Sequence, residues 1–194
     1  MMNSLADVQR WIKHDGITFV KDLGIKKDQI IVDFGCNTGH YTIPAARVVG
    51  SQGKVYAIDQ EQTAIDQLIK TAQNEGLGNI IPVISDKPII NLSRASVDAI
   101  FIYDVLHYLN ADERKNLYQS VNSVLKLDGI LSVFPKHNLS DQPMWHLENL
   151  SVTNIVEEIE NNHFMLIERA ERSLIHDDNL ETGIIINFKK SKPA

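Results

Sequence analysis

The chain has 194 residues, a hydrophobic share of 43% and a formal net charge of −6 at pH 7, which suits one globular domain and excludes a disordered chain. The acidic balance argues against nucleic acid as a partner, and the single cysteine, Cys36, excludes an intrachain disulfide or a cluster of thiolate metal ligands. The apolar runs are far shorter than the ~20 residues that span a bilayer, and the N-terminus lacks a signal-peptide pattern, so we expect a cytoplasmic protein without membrane contact.

The first predicted element is an amphipathic helix over residues 3 to 14. Its apolar residues recur at helical spacing and are Leu5, Val8, Trp11 and Ile12. The helix lies outside the repeating pattern of strands and helices that follows Gly24. We therefore predict a single domain over residues 1 to 194, with an N-terminal helical cap (residues 1 to 24) and a core (residues 25 to 190).

Residues 30 to 40 place an apolar strand directly before a glycine loop. Asp33 closes the strand, Gly35 and Gly39 bracket the turn, and Pro44 marks the first turn of the next helix. A helix N-terminus offers unpaired N–H groups, and a loop without bulky side chains lets a ligand approach its backbone closely. The segment is therefore a candidate nucleotide-binding site.

The rest of the chain alternates strands and helices. Later strands are predicted over residues 54–59, 79–86, 97–104, 127–134, 164–169 and 183–190, and helices over residues 61–75, 111–126 and 151–162. Pro82 cannot donate to a β-ladder, so the third strand belongs at a sheet edge. No helix separates the last two strands, which must pair antiparallel or lie well apart. The alternation predicts an α/β fold with a parallel sheet, right-handed crossovers and helices on both faces.

Carboxylates end the first two predicted strands, at Asp33 and Asp59. In such sheets, ligands bind outside the carboxyl ends of the strands. Asp59 stands about twenty residues beyond the last loop glycine, which suits recognition of a ribose diol, because one carboxylate can accept from two adjacent hydroxyls.

These segments together resemble the class I S-adenosylmethionine-dependent methyltransferase superfamily over about residues 15 to 190. The matching motifs are VDFGCNTG, VYAID, ISD, SVDAIFIYDVLHYL and LKLDGILSVF. The resemblance implies a Rossmann-like doubly wound sheet of order 3-2-1-4-5-7-6 with strand 7 antiparallel, and methyl transfer from S-adenosylmethionine to a small molecule. The chain departs from the family at Asn37, where glycine is usual, and at Asp128 and Gly129, where glycine or proline-glycine is usual.

The resemblance also implies which residues contact the cofactor, namely Asp33, Gly35, Asn37, Gly39, Asp59, Gln60, Asp86 and Tyr103. Asp33 would orient the loop or the amino group, and Asp59 would bind the ribose hydroxyls. Asp86 would meet the adenine amine, and Tyr103 would offer its backbone or side chain near the methionine. Gln60 would follow Asp59 into the site or simply start the next helix.

In-line methyl transfer needs a general base only if the acceptor must lose a proton. His107 and Tyr108 follow the fourth predicted strand and His137 follows the fifth, so these three are the candidate catalytic residues. His40, directly after the loop, is a further candidate base.

A long connection over residues 135–150 exceeds the usual loop length, which is typical of a lid. Met144, Trp145 and His146 within it are expected to form a substrate wall. The N-terminal helix, with Trp11 and His14, is expected to supply the other half of the cover.

Two other functions stay open. A nicotinamide-dependent dehydrogenase would share the strand, the glycine loop and the acid, but needs G-x-G-x-x-G, whereas the chain has Gly35, Asn37, Gly39 and then His40. A degenerate cofactor-binding fold acting as a non-catalytic partner or sensor is motivated by Asn37. We predict no metal site, because no histidine pair stands at i, i+4 and the acids are scattered.

Overall fold

The computed structural model of the protein describes residues 2–87, 92–140 and 145–191. Its strands are β1 Ile30–Phe34, β2 Lys54–Asp59, β3 Ile80–Ile84, β4 Val97–Tyr103, β5 Leu125–Phe134, β6 Phe164–His176 and β7 Asn179–Lys190. Its α-helices are α1 Met2–Arg10, α2 Gly16–Asp22, α3 Thr42–Val49, α4 Gln62–Asn74, α5 Ala111–Val124 and α6 Val152–Glu160. A π-helical segment, Trp11–Asp15, joins α1 to α2, and short 3-10 helices cover Leu106–Tyr108 and Trp145–Leu147.

The strands form a seven-stranded sheet in the order β3-β2-β1-β4-β5-β7-β6. β1 pairs with β2, β2 with β3 and β4 with β5 in parallel, whereas β7 runs antiparallel to β5. The predicted α/β fold class is therefore confirmed, with strand 7 antiparallel and Pro82 on the edge strand β3. No helix in the described part of the chain is both long enough and apolar enough to cross a membrane.

The chain divides into two compact units, which are residues 1–86 with 173–182 (the first unit) and residues 87–172 with 183–194 (the second unit). The single domain over residues 1 to 194 stays a prediction.

In the first unit, the N-terminal helix is anchored through Trp11. This side chain is 1% exposed, packs against Phe19 and Tyr41 with ring centroids 5.6 and 5.3 Å away, and donates from Nε1 to the carbonyl oxygen of His40 at 2.9 Å. The helical region continues to Asp22, well past the predicted end at residue 14. Trp11 is thus a core residue that anchors the helix, and the substrate cover formed by this helix stays a prediction.

In the second unit, helix α5 leads directly into β5. Asn110 caps α5 in a capping box with Glu113, and Arg114 pairs with Glu158 of α6. The sequence predicted that α5 continues to residue 126 and that β5 begins at residue 127. The observed strand begins at Leu125, because this residue pairs with Val97 of β4.

Candidate active site

The loop between β1 and α3 is held against β2 by backbone hydrogen bonds. The N–H groups of Gly35 and Cys36 donate to the carbonyl oxygen of Ile58 at 2.8 and 3.1 Å. Gly35, Asn37 and Gly39 all have positive φ angles, of 78°, 46° and 95°. Asparagine tolerates this left-handed region better than most residues, so the departure from glycine at position 37 leaves the turn intact.

Asp59, at the end of β2, points its carboxylate at this loop. Oδ2 accepts from the N–H of Asn37 at 2.8 Å, and Oδ1 accepts from the N–H of Glu61 at 3.0 Å. A carboxylate has about four acceptor positions. Two amide bonds therefore leave capacity for the hydroxyls of a ribose diol, and the predicted proximity of acid and loop is present.

Asp33, the fourth residue of β1, is buried, and its carboxylate points towards the start of α3. Its Oδ2 accepts from the Oγ1 of Thr42, the first residue of α3, at 2.5 Å. Burial raises the pKa of Asp33 to about 7, against the lowering effect of the Thr42 hydrogen bond and with a smaller raising effect from the charge of Asp59. A carboxyl group that titrates near neutrality can lose its proton when a cationic ligand binds nearby.

The other predicted cofactor residues have different surroundings. Gln60 is exposed and directly follows β2, and Asp86 is exposed two residues after the end of β3. Tyr103 is buried at the end of β4, and its hydroxyl donates to the Oγ of Ser132 at 2.7 Å. The Tyr103 side chain therefore belongs to the interior of the second unit, and the cofactor contact of this residue stays a prediction.

His40 makes a structural contact within the first unit. Its Nε2 lies 3.1 Å from the Oδ1 of Asp178, in the turn between β6 and β7. Burial lowers the pKa of His40 below its usual value, and the charge of Asp178 opposes part of this lowering. The neighbouring Tyr41 hydroxyl donates to the carbonyl oxygen of Ile175, near the end of β6, at 3.0 Å, so residues 40 and 41 both contact this hairpin within the first unit.

The three predicted catalytic residues lie together in the second unit. The ring centroid of His107 is 3.8 Å from that of Tyr108 and 4.4 Å from that of His137. Asp104 joins them, with its Oδ1 3.5 Å from His107 Nδ1 and 3.6 Å from His137 Nε2. We call Asp104, His107 and His137 the histidine cluster.

Aromatic side chains form a rim beside the histidine cluster. Trp145 packs edge-on against His107 and Tyr108, with ring centroids 5.1 and 4.9 Å apart. Tyr108 and Trp145 are 56% and 52% exposed, so the rim faces solvent. Of the predicted substrate wall, His146 is also exposed, and Met144 lies outside the described residues.

Sequence reasoning missed Thr42 and Asp104. Thr42 had a local signal, since a hydroxyl residue begins the helix that follows the glycine loop. Asp104 had a weaker one, since it is an acid directly after a buried strand and three residues before His107.

The family model described as a methyltransferase domain matches residues 31–129, more than half of the chain. The matched segment contains the loop, Asp59 and the end of β4. The chain therefore belongs to this methyltransferase family, and the predicted superfamily is confirmed.

Among curated relatives, the chain is 39% identical over 82 residues to a protein of Saccharolobus solfataricus named "Probable cobalt-precorrin-6B C(15)-methyltransferase (decarboxylating)". That match covers 41% of each chain, so it spans about two fifths of the relative's length. The chain is also 36% identical over 70 residues to aklanonic acid methyltransferase DauC of a Streptomyces species, covering 36% of this chain and 32% of that one. A solved structure of a SAM-dependent methyltransferase from Aquifex aeolicus shares the fold, with a TM-score of 0.74, 22% identity and coverage of 92% and 91% of the two chains.

Proposed function

We propose that the protein transfers a methyl group from S-adenosylmethionine to a small-molecule acceptor. The observation that carries the proposal is the Asp59 carboxylate, which faces the glycine loop through its bond to the N–H of Asn37. An acid and a loop of positive-φ residues at this position fit an adenosine ribose and the chain attached to it. Membership of the methyltransferase family selects this ligand among adenine-containing ones.

The bound donor supplies a methyl group on a positively charged sulfur. In the proposal, the carboxylate of Asp59 accepts from the ribose hydroxyls, and the backbone of Gly35, Asn37 and Gly39 lies against the methionyl portion. Asp86 accepts from the adenine amine. Asp33 orients the loop through Thr42 and balances the positive charge of the ligand's amino group.

The name of the Saccharolobus solfataricus relative specifies position C(15) of a cobalt-precorrin as the acceptor, and the name of the Streptomyces relative specifies aklanonic acid. Both are small molecules, and the net charge of −6 suits a small acceptor better than a nucleic acid. We infer a small-molecule acceptor on these grounds, and a cytoplasmic location, which fits the single cysteine as a buried free thiol. His107, Tyr108 and His137 remain the proposed groups that act on the acceptor.

The direct test is calorimetry of the purified protein with S-adenosylmethionine, S-adenosylhomocysteine and NAD. We expect the first two to bind with micromolar dissociation constants, on the order of −8 kcal/mol, and to raise the melting temperature. NAD binding without binding of the methyl donor would favour the dehydrogenase and overturn the proposal. An Asn37→Gly variant that gains affinity, together with no transfer to any offered acceptor, would favour the non-catalytic alternative.

The affinity for S-adenosylmethionine is expected to rise with pH and then level off near pH 7. Below the pKa of about 7, Asp33 is protonated in the free protein, so binding a cation beside it must release a proton. The association constant should therefore rise by up to about tenfold per pH unit between about pH 5 and 7. Above pH 7 the carboxylate is already ionised, and this contribution is constant.

Calorimetry at pH 6 in two buffers with different ionisation enthalpies measures the released proton directly. The Asp33→Asn variant keeps the shape and an acceptor for Thr42, and its affinity should be flat over the same pH range. A wild-type affinity that is also flat would show that Asp33 only orients the loop.

A further inference from the structure

We propose that the histidine cluster, Asp104, His107 and His137, is a binding site for a divalent transition-metal ion such as Zn²⁺. One candidate ligand atom from each residue lies within 4.8 Å of the other two. All three residues belong to the second unit. Two imidazole nitrogens with one carboxylate oxygen are a donor set that zinc and neighbouring divalent metals take in proteins.

The spacing of the donor atoms fits coordination better than direct hydrogen bonding. The Oδ1 of Asp104 lies 3.5 Å from His107 Nδ1 and 3.6 Å from His137 Nε2. A charge-assisted N–H···O bond would bring such atoms to about 2.7–2.9 Å. Ligands held about 2.1 Å from an ion at tetrahedral angles are about 3.4 Å apart, close to both observed distances.

The surroundings suit a catalytic rather than a structural metal site. The His107 side chain is 1% exposed, that of His137 14% and that of Asp104 29%, so the cluster is covered on one side and reachable from the other. Three protein ligands leave a coordination position for water or substrate, as catalytic zinc sites do. The exposed rings of Tyr108 and Trp145 lie beside the cluster and offer an apolar edge to a bound molecule.

Two of the three ligands stand at bends that follow β4 and β5. Asp104 and His137 have φ angles of 58° and 57°, in the left-handed region that aspartate and histidine adopt more readily than most residues. The sequence predicted no metal site because the ligands follow two different strands, so their spacing along the chain matches no local ligand pattern.

The ion would take an oxygen of the acceptor at its open position, a role that rests on the proposed function. A divalent ion lowers the pKa of a bound hydroxyl. For a hydroxyl acceptor, the O–H bond would break and the proton would pass to water. The oxygen would keep the electron pair and form a bond to the methyl carbon, while the methyl–sulfur bond breaks and S-adenosylhomocysteine leaves. His107 and His137 would serve as ligands in this arrangement and not as general bases.

Metal binding is tested without any methyl donor. Tag-free protein is treated with EDTA, exchanged into metal-free buffer, and titrated with ZnCl₂ by calorimetry and with CoCl₂ by visible absorption. We expect one ion per chain, a micromolar or tighter dissociation constant for zinc, cobalt bands typical of four- or five-coordination, and a raised melting temperature. No binding, or binding without a one-to-one endpoint, would overturn the proposal.

Two ligand variants and one matched histidine variant locate the ion. Asp104→Asn keeps the shape at a position whose left-handed φ asparagine tolerates, and His137→Gln replaces a partly exposed ligand. Each should bind zinc at least about 100-fold more weakly, since even supporting residues of metal sites contribute 10–100-fold. His146→Ala removes an exposed histidine of the same unit and should bind zinc like the wild type. Melting curves of the metal-free variants check the fold, and a folded ligand variant with wild-type affinity would refute the assignment.

The two proposals fail separately. Asp59→Ala should bind zinc normally while losing affinity for S-adenosylmethionine, because Asp59 belongs to the first unit. A protein that binds zinc at the cluster but no methyl donor would keep the metal site and overturn the proposed function. Full methyl transfer by the EDTA-treated protein would overturn the role of the ion in acceptor activation.

Discussion

Replacing Asp59 with alanine should weaken S-adenosylmethionine binding by about 10- to 150-fold, or 1.5–3 kcal/mol, the range of hydrogen bonds to a charged group. The substitution acts in two ways. It removes the proposed acceptor for the ribose hydroxyls, and it removes the acceptor that holds the N–H groups of Asn37 and Glu61 at 2.8 and 3.0 Å. Titration calorimetry with S-adenosylmethionine and S-adenosylhomocysteine measures the loss.

Glu61→Ala is the matched control. It removes an acid two residues away, while the backbone N–H that bonds to Asp59 stays in place. We expect its affinity to remain within about twofold of the wild type. If Asp59→Ala binds as tightly as Glu61→Ala, then Asp59 does not hold the ribose.

The ribose contact and the loop contact of Asp59 can be separated with a ligand that lacks the 2′-hydroxyl. The 2′-deoxy analogue of S-adenosylhomocysteine should bind the wild type more weakly than the parent compound does. In Asp59→Ala the two ligands should bind alike, because the partner of the missing hydroxyl is also gone. An equal penalty in both proteins would assign Asp59 to the loop alone.

The parts of the fold that were predictable from sequence are those fixed by local chemistry. Strand β2 was predicted over residues 54–59 and is observed over Lys54–Asp59, because a glycine precedes the apolar run and an acid ends it. Pro82 correctly placed β3 at a sheet edge, because proline cannot donate to a ladder. The α5–β5 boundary was wrong by two residues, since the helical apolar period continues through Leu125, and the pairing with Val97 overrides it.

In the candidate site, too, some features were predictable from local sequence and others depended on contacts between distant residues. The proximity of Asp59 to the loop was predictable, because the ends of neighbouring parallel strands meet at one edge of a sheet. The direction of the Tyr103 side chain was not predictable, because it depends on the hydrogen bond to the hydroxyl of Ser132 on the adjacent strand. Asp104 and His137 lie 33 positions apart in the sequence, just after β4 and β5, and their side chains come together in the fold. No short sequence motif describes such a pair.

Gly39→Ala should destabilise the protein by about 2–5 kcal/mol. At φ 95° a side chain costs about 1–2 kcal/mol, and the added methyl group would also clash with the Cδ1 of Leu68 on α4, at about 1–3 kcal/mol for overpacking. Glycine at this position therefore serves the packing of α4 as well as the shape of the loop. Urea denaturation of wild type and variant measures the difference in the free energy of unfolding.

Gly76→Ala separates the two contributions. Gly76 also has a positive φ, of 66°, but a methyl group there would meet nothing within 4 Å. This variant should therefore lose only about 1–2 kcal/mol, the cost of the left-handed backbone. A Gly39→Ala variant no less stable than Gly76→Ala would show that Leu68 moves aside without cost.

The double variant Gly39→Ala/Leu68→Ala tests the clash itself. Leu68→Ala alone should cost about 2–5 kcal/mol, because Leu68 is fully buried in the cluster that includes Ile43 and Ile65. The double variant should be more stable than the sum of the single losses implies, by about the cost of the clash, because the new methyl group partly fills the space that Leu68 vacates. The backbone cost at position 39 should remain, since truncating Leu68 leaves φ unchanged. Strict additivity would mean that Gly39 is required by the loop alone. A double loss smaller than the sum of the single losses would show that the glycine loop and helix α4 constrain each other at this point.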